Sequence, residues 1–262
     1  MMTSTTRANV QKILKITAAA IFWIAVWHVA AKIIDKAWVL PTPYRVLEVL
    51  FELVFQKSFW ISIKNSVLNV ILGYIYGAII GFVLAIIAHF MSFVSILISP
   101  VLTVMRATPV ASFIMLLWVF VNKEAVPSLI VILIVLPIVY TNLSAGLSSV
   151  DKKHLELAKV FDFLFARKMR YIYMPQTMPY VRSALSTSLG LAWKAGIAAE
   201  VLCDPLNSIG HGIFSSKRDI LTADLFAWTL VVVLLCFVFE FMLAKIFGIR
   251  LGTKKTKGGD LK

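Results

Sequence analysis

The chain has 262 residues, 60% of them hydrophobic and 15% charged, with a mean hydropathy of +0.88. That balance excludes a soluble globular domain and leaves room for six membrane crossings, since a ~30 Å hydrocarbon core takes about twenty apolar residues at ~1.5 Å each. The net charge of +13 sits at the ends of apolar runs and in loops, where it orients a protein in the lipid bilayer and argues against a nucleic-acid partner.

Residues 1–12 are expected to form a cytoplasmic N-terminus, followed by a first span at 13–34. That stretch contains Trp23, Trp27, His28 and Lys32, and no small-x-small site closes it, so it reads as a retained span and not a secretory signal. An external loop, 35–61, opens with the rigid turn Leu40-Pro41-Thr42-Pro43. After it Val46, Leu47, Leu50, Phe51, Leu53 and Val54 recur at helical spacing and predict a short amphipathic helix on the outer interface. The core, 62–247, holds five more spans, at about 62–88, 94–121, 126–146, 178–202 and 223–247. The third is too long for one straight helix: Pro100 and Pro109 should interrupt it, leaving a short crossing from Pro109 to Val121. A cytoplasmic loop lies at about 150–177, and a Lys-rich tail, 248–262, is expected to be cytoplasmic and disordered.

With the N-terminus inside, sixteen Lys and Arg residues fall on the inner side and eight on the outer, which predicts that both termini are cytoplasmic. Cys203 and Cys236 have no metal-ligand spacing and read as packing residues.

The second span carries Asn65, Asn69, Gly73, Gly77, Gly81 and Ala85, each four residues after the last. That spacing makes a slowly drifting stripe on which another backbone can approach, with the two Asn side chains bonding across the contact. Tight helix packing is the favoured reading, and a dimer seam or a sliding gate is the other. In Arg106-Ala107-Thr108-Pro109 the proline should break the helix, either as a plain kink or as backbone lining a cavity. The fifth span holds Trp193, Lys194 and Glu200. Ionisable groups inside a span are candidates for a pathway. Lys194 stands about 24 Å along from Met178, so it either faces a pathway or snorkels to the outer surface. Glu200 lies roughly 120° round the helix from it, near the expected external mouth. Ser208-Ile209-Gly210-His211-Gly212 reads as an external turn with a solvated His.

The cytoplasmic loop reads Glu156-Leu157-Ala158, then Asp162, then Ile172-Tyr173-Met174-Pro175, amid Lys152, Lys153, Lys159, Arg167, Lys168, Arg170 and Arg182. It resembles the E-A-A loop of permease subunits of ATP-binding-cassette (ABC) importers, a pattern of Glu-Ala-Ala, Gly and Ile-x-Leu-Pro at fixed spacing. Asp162 stands at the Gly, which in that family lets the chain turn after a short helix. Asp tolerates positive φ less well than Gly but is not excluded, so the turn is expected to survive. The bland alternative is a basic amphipathic loop lying on the membrane. The Leu-Pro-x-Pro element, the Arg-x-x-Pro element, the Trp and Ala-Glu of the fifth span and the glycine-bearing turn are similar to permeases of the nitrate, sulfonate and taurine branch.

The resemblance implies an all-α polytopic protein of the cell inner membrane, with six transmembrane helices and a cytoplasmic coupling helix between the fourth and fifth. It further implies a second copy of the permease, two ABC ATPase subunits at the cytoplasmic face and an external substrate-binding protein. Coupling would fall to Glu156 as a polar clamp and to Phe161, Phe163 and Leu164 as apolar anchors, in a segment that includes Leu157, Ala158, Asp162, Ile172 and Pro175. Arg106, Pro109, Trp193, Lys194 and Glu200 are the pathway candidates. The implied cargo is a small solute, anionic in sulfonate, taurine or nitrate permeases, or a thiamine-precursor pyrimidine. No phosphate-cradling Gly-rich loop, metal motif or catalytic triad occurs, so the chain is expected not to be an enzyme, with no cofactor of its own and with ATP and Mg on the partner ATPase. A self-sufficient secondary transporter is the rival, and only Glu200, Asp224 and Glu240 could serve its ion coupling.

Overall fold

The computed structural model describes residues 4–247, so the basic tail expected at 248–262 lies outside the described residues. Every described element is helical. Helix α1 (Ser4–Ile34) is followed by α2 (Pro43–Val54), whose start is set by Thr42, its hydroxyl accepting from the Arg45 N–H, and by Pro43 in the first turn. The amphipathic face expected of this segment is split. Val46 and Val49 are buried against Ala227, while Leu47 and Phe51 stay exposed.

Three long helices make the core: α3 (Lys57–Phe90), α6 (Val126–Ser148) and α9 (Met174–Cys203). Between the first two, α4 (Ser92–Ala107) and α5 (Val110–Phe120) meet at a bend of 107°. The break falls at Thr108, which is extended, immediately before Pro109. Pro100 does not interrupt the helix as expected; it sits inside α4, a position membrane helices tolerate when neighbours re-satisfy the backbone. Helix α5, at eleven residues, rises only about 16 Å, too little to cross the hydrocarbon core alone. The last long helix is α11 (Thr222–Phe247). Among the described residues four helices are long and apolar enough to cross a membrane, or five if the bent pair is one span. Helix α9 is long enough but more polar, and one side of it, with Ala184, Ser188, Ala192, Trp193 and Ala199, is buried by protein.

The glycine stripe packs within the chain. A Cβ at Gly73 would stand 2.5 Å from the Ser128 carbonyl oxygen, at Gly77 3.1 Å from the Ile132 Cα, and at Gly81 2.7 Å from the Leu136 carbonyl oxygen. All three neighbours belong to α6, so the stripe is a helix–helix seam inside one subunit. Its outer continuation differs from the expectation. At ~100° per residue Asn65 is about 80° round from Gly73, whereas Ser66 is about 20° round. Accordingly Ser62, Ser66 and Val70 are the buried members, while Asn65 is half-buried and donates to the Asn207 carbonyl at 2.9 Å. For Asn69 the contact that crosses to α6 is made by its backbone carbonyl, which accepts from Ser128 Oγ at 3.0 Å.

Candidate functional site

Between α6 and α9 the chain makes helix α7 (Lys152–Val160), capped by the Asp151 carboxylate on the Lys153 N–H at 2.9 Å. Its end is closed by two backbone bonds, Phe163 N–H to the Ala158 carbonyl at 2.9 Å and Asp162 N–H to the Lys159 carbonyl at 3.1 Å. These are the two bonds of a Schellman motif, which requires a left-handed residue at the turn. Asp162 takes that place with φ 47°, so the turn survives without glycine. Chain reversal then runs through α8 (Phe165–Lys168) and a π turn, Met169–Tyr173, into α9.

This loop has an inner and an outer face. Ala158, Ile172 and Tyr173 are buried against Leu143, Leu147 and Ala85, fixing α7 to the ends of α3 and α6. Phe163 packs on the same inner side, with the Arg167 guanidinium 5.5 Å above its ring. Of the three expected apolar anchors Phe163 is the half-buried one, because the Schellman turn points it back at Ala158. Leu157, Val160, Phe161, Leu164 and Phe165 are left outside at 54–77% exposure, and Glu156 and Pro175 are exposed with them. These side chains leave an apolar face uncovered on a short, highly charged segment.

A second feature lies between the break and α9. A cavity of about 440 Å³ is bounded by Arg106, Thr108, Ile134, Pro137, Lys194 and Ala198, among others. Its lining is apolar except for Thr108 and two cations, and no carboxylate borders it. Arg106 is held by the Leu102 carbonyl at 3.2 Å and the Thr141 hydroxyl at 3.3 Å. Among the described residues neither Arg106 nor Lys194 forms an ion pair. The helix break thus places Arg106 across an apolar hollow shared with Lys194. Pro109 breaks the helix at its rim.

Trp193 and Glu200, the other pathway candidates on α9, do not border this cavity. Trp193 is 1% exposed, packs on Phe239 and donates from its indole N–H to the Val232 carbonyl at 3.0 Å. Glu200 is fully buried. One carboxylate oxygen accepts from Ser66 Oγ at 2.6 Å and from the Gly210 N–H at 3.1 Å; the other has no partner. Ser66 Oγ in turn accepts from the Ile209 N–H at 2.9 Å. These bonds tie α3 and α9 to the start of a helix, α10 (Ile209–Arg218), where the expectation had a turn. Favourable helix-end electrostatics explain why a carboxylate is placed there.

The model of one family, the binding-protein-dependent transport system inner membrane component, matches residues 77–247, which include both the cavity and the loop between α6 and α9. The chain belongs to this family. A permease of this kind is a transport component and not an enzyme. The putative aliphatic sulfonates transport permease protein of Bacillus subtilis (strain 168) is 26% identical over 78% of this chain and 74% of its own length. The taurine transport system permease protein of Escherichia coli (strain K12) is 22% identical over 55% of this chain and 52% of its own. The nitrate import permease protein of Synechococcus elongatus (strain ATCC 33912 / PCC 7942 / FACHB-805) is 28% identical, but the match covers 40% of this chain and 38% of that protein. With these relatives the chain stands in the nitrate, sulfonate and taurine branch of ABC permeases. Two solved transporters share the fold: an amino acid ABC transporter with histidines (TM-score 0.53, 18% identity, 72% of this chain and 91% of that one), and a methionine ABC transporter in inward-facing conformations (TM-score 0.55, 12% identity, 72% and 92%).

In this permease sequence reasoning passed over Ser66, and it saw Gly210 only as part of a turn. A Cβ on Gly210 would lie 2.4 Å from the Glu200 carbonyl carbon, and one on Gly212 would meet the Trp228 ring, so both glycines exist to let α10 close on its neighbours. The glycine pair was visible, but its target was not. His211 is likewise engaged, its Nδ1 2.6 Å from the Asp204 carboxylate.

Proposed function

We propose that this permease conducts a small anion of the sulfonate, taurine or nitrate kind across the inner membrane as the pore subunit of an ATP-driven importer. The observation that carries the reading is the cavity of about 440 Å³ with two unpaired cations, Arg106 and Lys194, and no carboxylate. A cation in a low-dielectric passage offsets part of the desolvation cost of an anion, whereas a neutral pyrimidine would leave both charges unused. In this reading the chain crosses six times: α1, α3, the bent pair α4–α5, α6, α9 and α11. The more polar α9 counts as the fifth crossing because protein and cavity cover it. Both termini and α7 then face the cytoplasm, in keeping with the excess of Lys and Arg on that side.

Two copies would enclose the pathway, and an external binding protein would deliver and select the solute. The exposed Leu157, Val160, Phe161 and Leu164 would seat in an ATPase subunit, with Glu156 at the rim of that contact. ATP and Mg would be bound and turned over there, outside this chain. Closure of two ATPases would draw the two α7 helices together. Rigid attachment of α7 through Ala158 and Ile172 to α3 and α6 would carry that motion into the bundle.

Substituting Glu156→Lys tests the assignment of α7. The variant should insert and fold normally, because Glu156 is exposed and outside the core, yet lose ATPase on purification and lose ATP-driven uptake in vesicles. Full ATPase retention with normal uptake would sink it.

A further inference from the structure

We propose that the inner end of the bundle holds an anionic phospholipid, with an acyl chain in the groove between α3, α6 and the π turn and the phosphate on Arg170 and Arg182. The leaflet concerned rests on the orientation proposed above. Two hollows adjoin there. One, of about 490 Å³, is apolar, walled by Phe82, Ile86, Leu147, Phe165 and Tyr173. The other, of about 430 Å³, is bounded by Arg170, Met174, Pro175, Met178, Pro179 and Arg182. Arg170 and Met174 line both, so an apolar slot and a two-arginine slot meet along one ridge.

The chemistry of each slot excludes simpler occupants. A free phosphate ion would be bound by the arginines but would leave the apolar slot, with its single cation, unfilled. A neutral apolar molecule would fill the groove and ignore two guanidinium groups that form no ion pair among the described residues. A long hydrocarbon tail joined to a phosphate satisfies both. Depth agrees: Ile86 is one turn from the end of α3 and Leu147 is in the last turn of α6, where a headgroup meets the acyl region. Arg167 and Lys168 add positive charge beside it, and juxtamembrane cations draw anionic lipid by about 1 kcal/mol each. The π turn itself supports the site. Met169 and Tyr173, four residues apart on one face, both line the groove while Arg170 stays exposed at the rim.

The test is native mass spectrometry of the full-length permease, delipidated and titrated with phosphatidylglycerol or with phosphatidylcholine of matched chains. Phosphatidylglycerol should be retained at least about fivefold better than phosphatidylcholine, and Arg170→Ala with Arg182→Ala should lower its retention about tenfold or more. Ala166→Trp, which fills the apolar slot from its edge, should lower it to a similar degree with the arginines intact. Because these two variants act on different slots, misfolding of one leaves the other to decide. Equal retention of the two lipids, or retention unchanged in both variants, overturns the proposal. So does displacement by inorganic phosphate, which would mark a free-anion site, and so does loss of a second copy in place of lipid from Ala166→Trp. The readout needs neither ATP nor transport, so its failure is separable from failure of the importer reading.

Discussion

Glu200 and Lys194 are six residues apart on α9, yet they sit in regions of opposite construction. Around Glu200, α3, α9 and α10 close until the carboxylate is fully buried and bonded to Ser66 and Gly210. Around Lys194, the bend between α4 and α5 holds the neighbours apart, and the cation faces a hollow with no counter-charge. An intramembrane charge is costly in both places. In the first region local bonds to one carboxylate oxygen offset part of the cost and the product is a rigid joint. In the second the cost is left standing, and a passing anion is what would relieve it. The same residue class on the same helix therefore has a structural role in one turn and a candidate transport role two turns away.

The rigid region should be the easier to break. Replacing Gly77 with Leu puts side-chain atoms where even a Cβ stands 3.0 Å from Val135 Cβ and 3.1 Å from the Ile132 backbone. Backbone cannot give way as a side-chain tip can, and overpacking costs about 1–3 kcal/mol or more. Detergent-solubilised Gly77→Leu should melt well below the parent or fail to assemble; an unchanged melting profile would mean that α3 and α6 do not meet there.

A second substitution acts on the joint alone. Glu200→Ala strands the Ser66 hydroxyl and the Gly210 N–H and leaves a void, at about 1–3 kcal/mol for an unsatisfied buried group plus the cavity. Thermal stability should fall by roughly 3 kcal/mol. Glu200→Gln, which keeps an acceptor oxygen, should lose clearly less. If the two variants were equally stable to the parent while uptake collapsed, Glu200 would belong with Lys194 in the pathway after all.

The smallest expected effect is at the coupling turn. Asp162 holds φ 47° at the Schellman position, where a non-glycine residue costs roughly 1 kcal/mol. Asp162→Gly should be neutral or stabilising by up to about 1 kcal/mol, and Asp162→Val destabilising, with uptake retained in the first. Loss of ATPase binding in Asp162→Gly would show that the carboxylate itself makes the contact.

What could be read from sequence divides along the same line. The helix and turn between α6 and α9 were legible because their pattern is local: a helix stop, a residue at positive φ and a proline at fixed spacing lie within twenty residues. The break at Pro109 was legible for the same reason. The glycine seam was legible as to type, but strict spacing of four carried the stripe to Asn65 and Asn69, while the true period brings Ser66 and Val70 inward. The partners of Glu200 could not be read. Ser66 lies 134 residues away, and nothing in the local pattern says that α10 folds back onto α9. For Phe161 and Phe163, which flank Asp162, only the hydrogen bonds of the turn decide which one faces inward.

The most direct measurement is ATP-driven uptake of taurine, an alkanesulfonate and nitrate, each with its own binding protein, into vesicles containing the parent, Lys194→Ala or Arg106→Ala with Lys194→Ala. Uptake of the anion that the parent carries should fall about tenfold or more in Lys194→Ala and further in the double variant, with ATPase docking and melting temperature unchanged and part of the rate restored by Lys194→Arg. Uptake within about twofold of the parent in the double variant would contradict a cationic pathway and remove the case that the cargo is an anion.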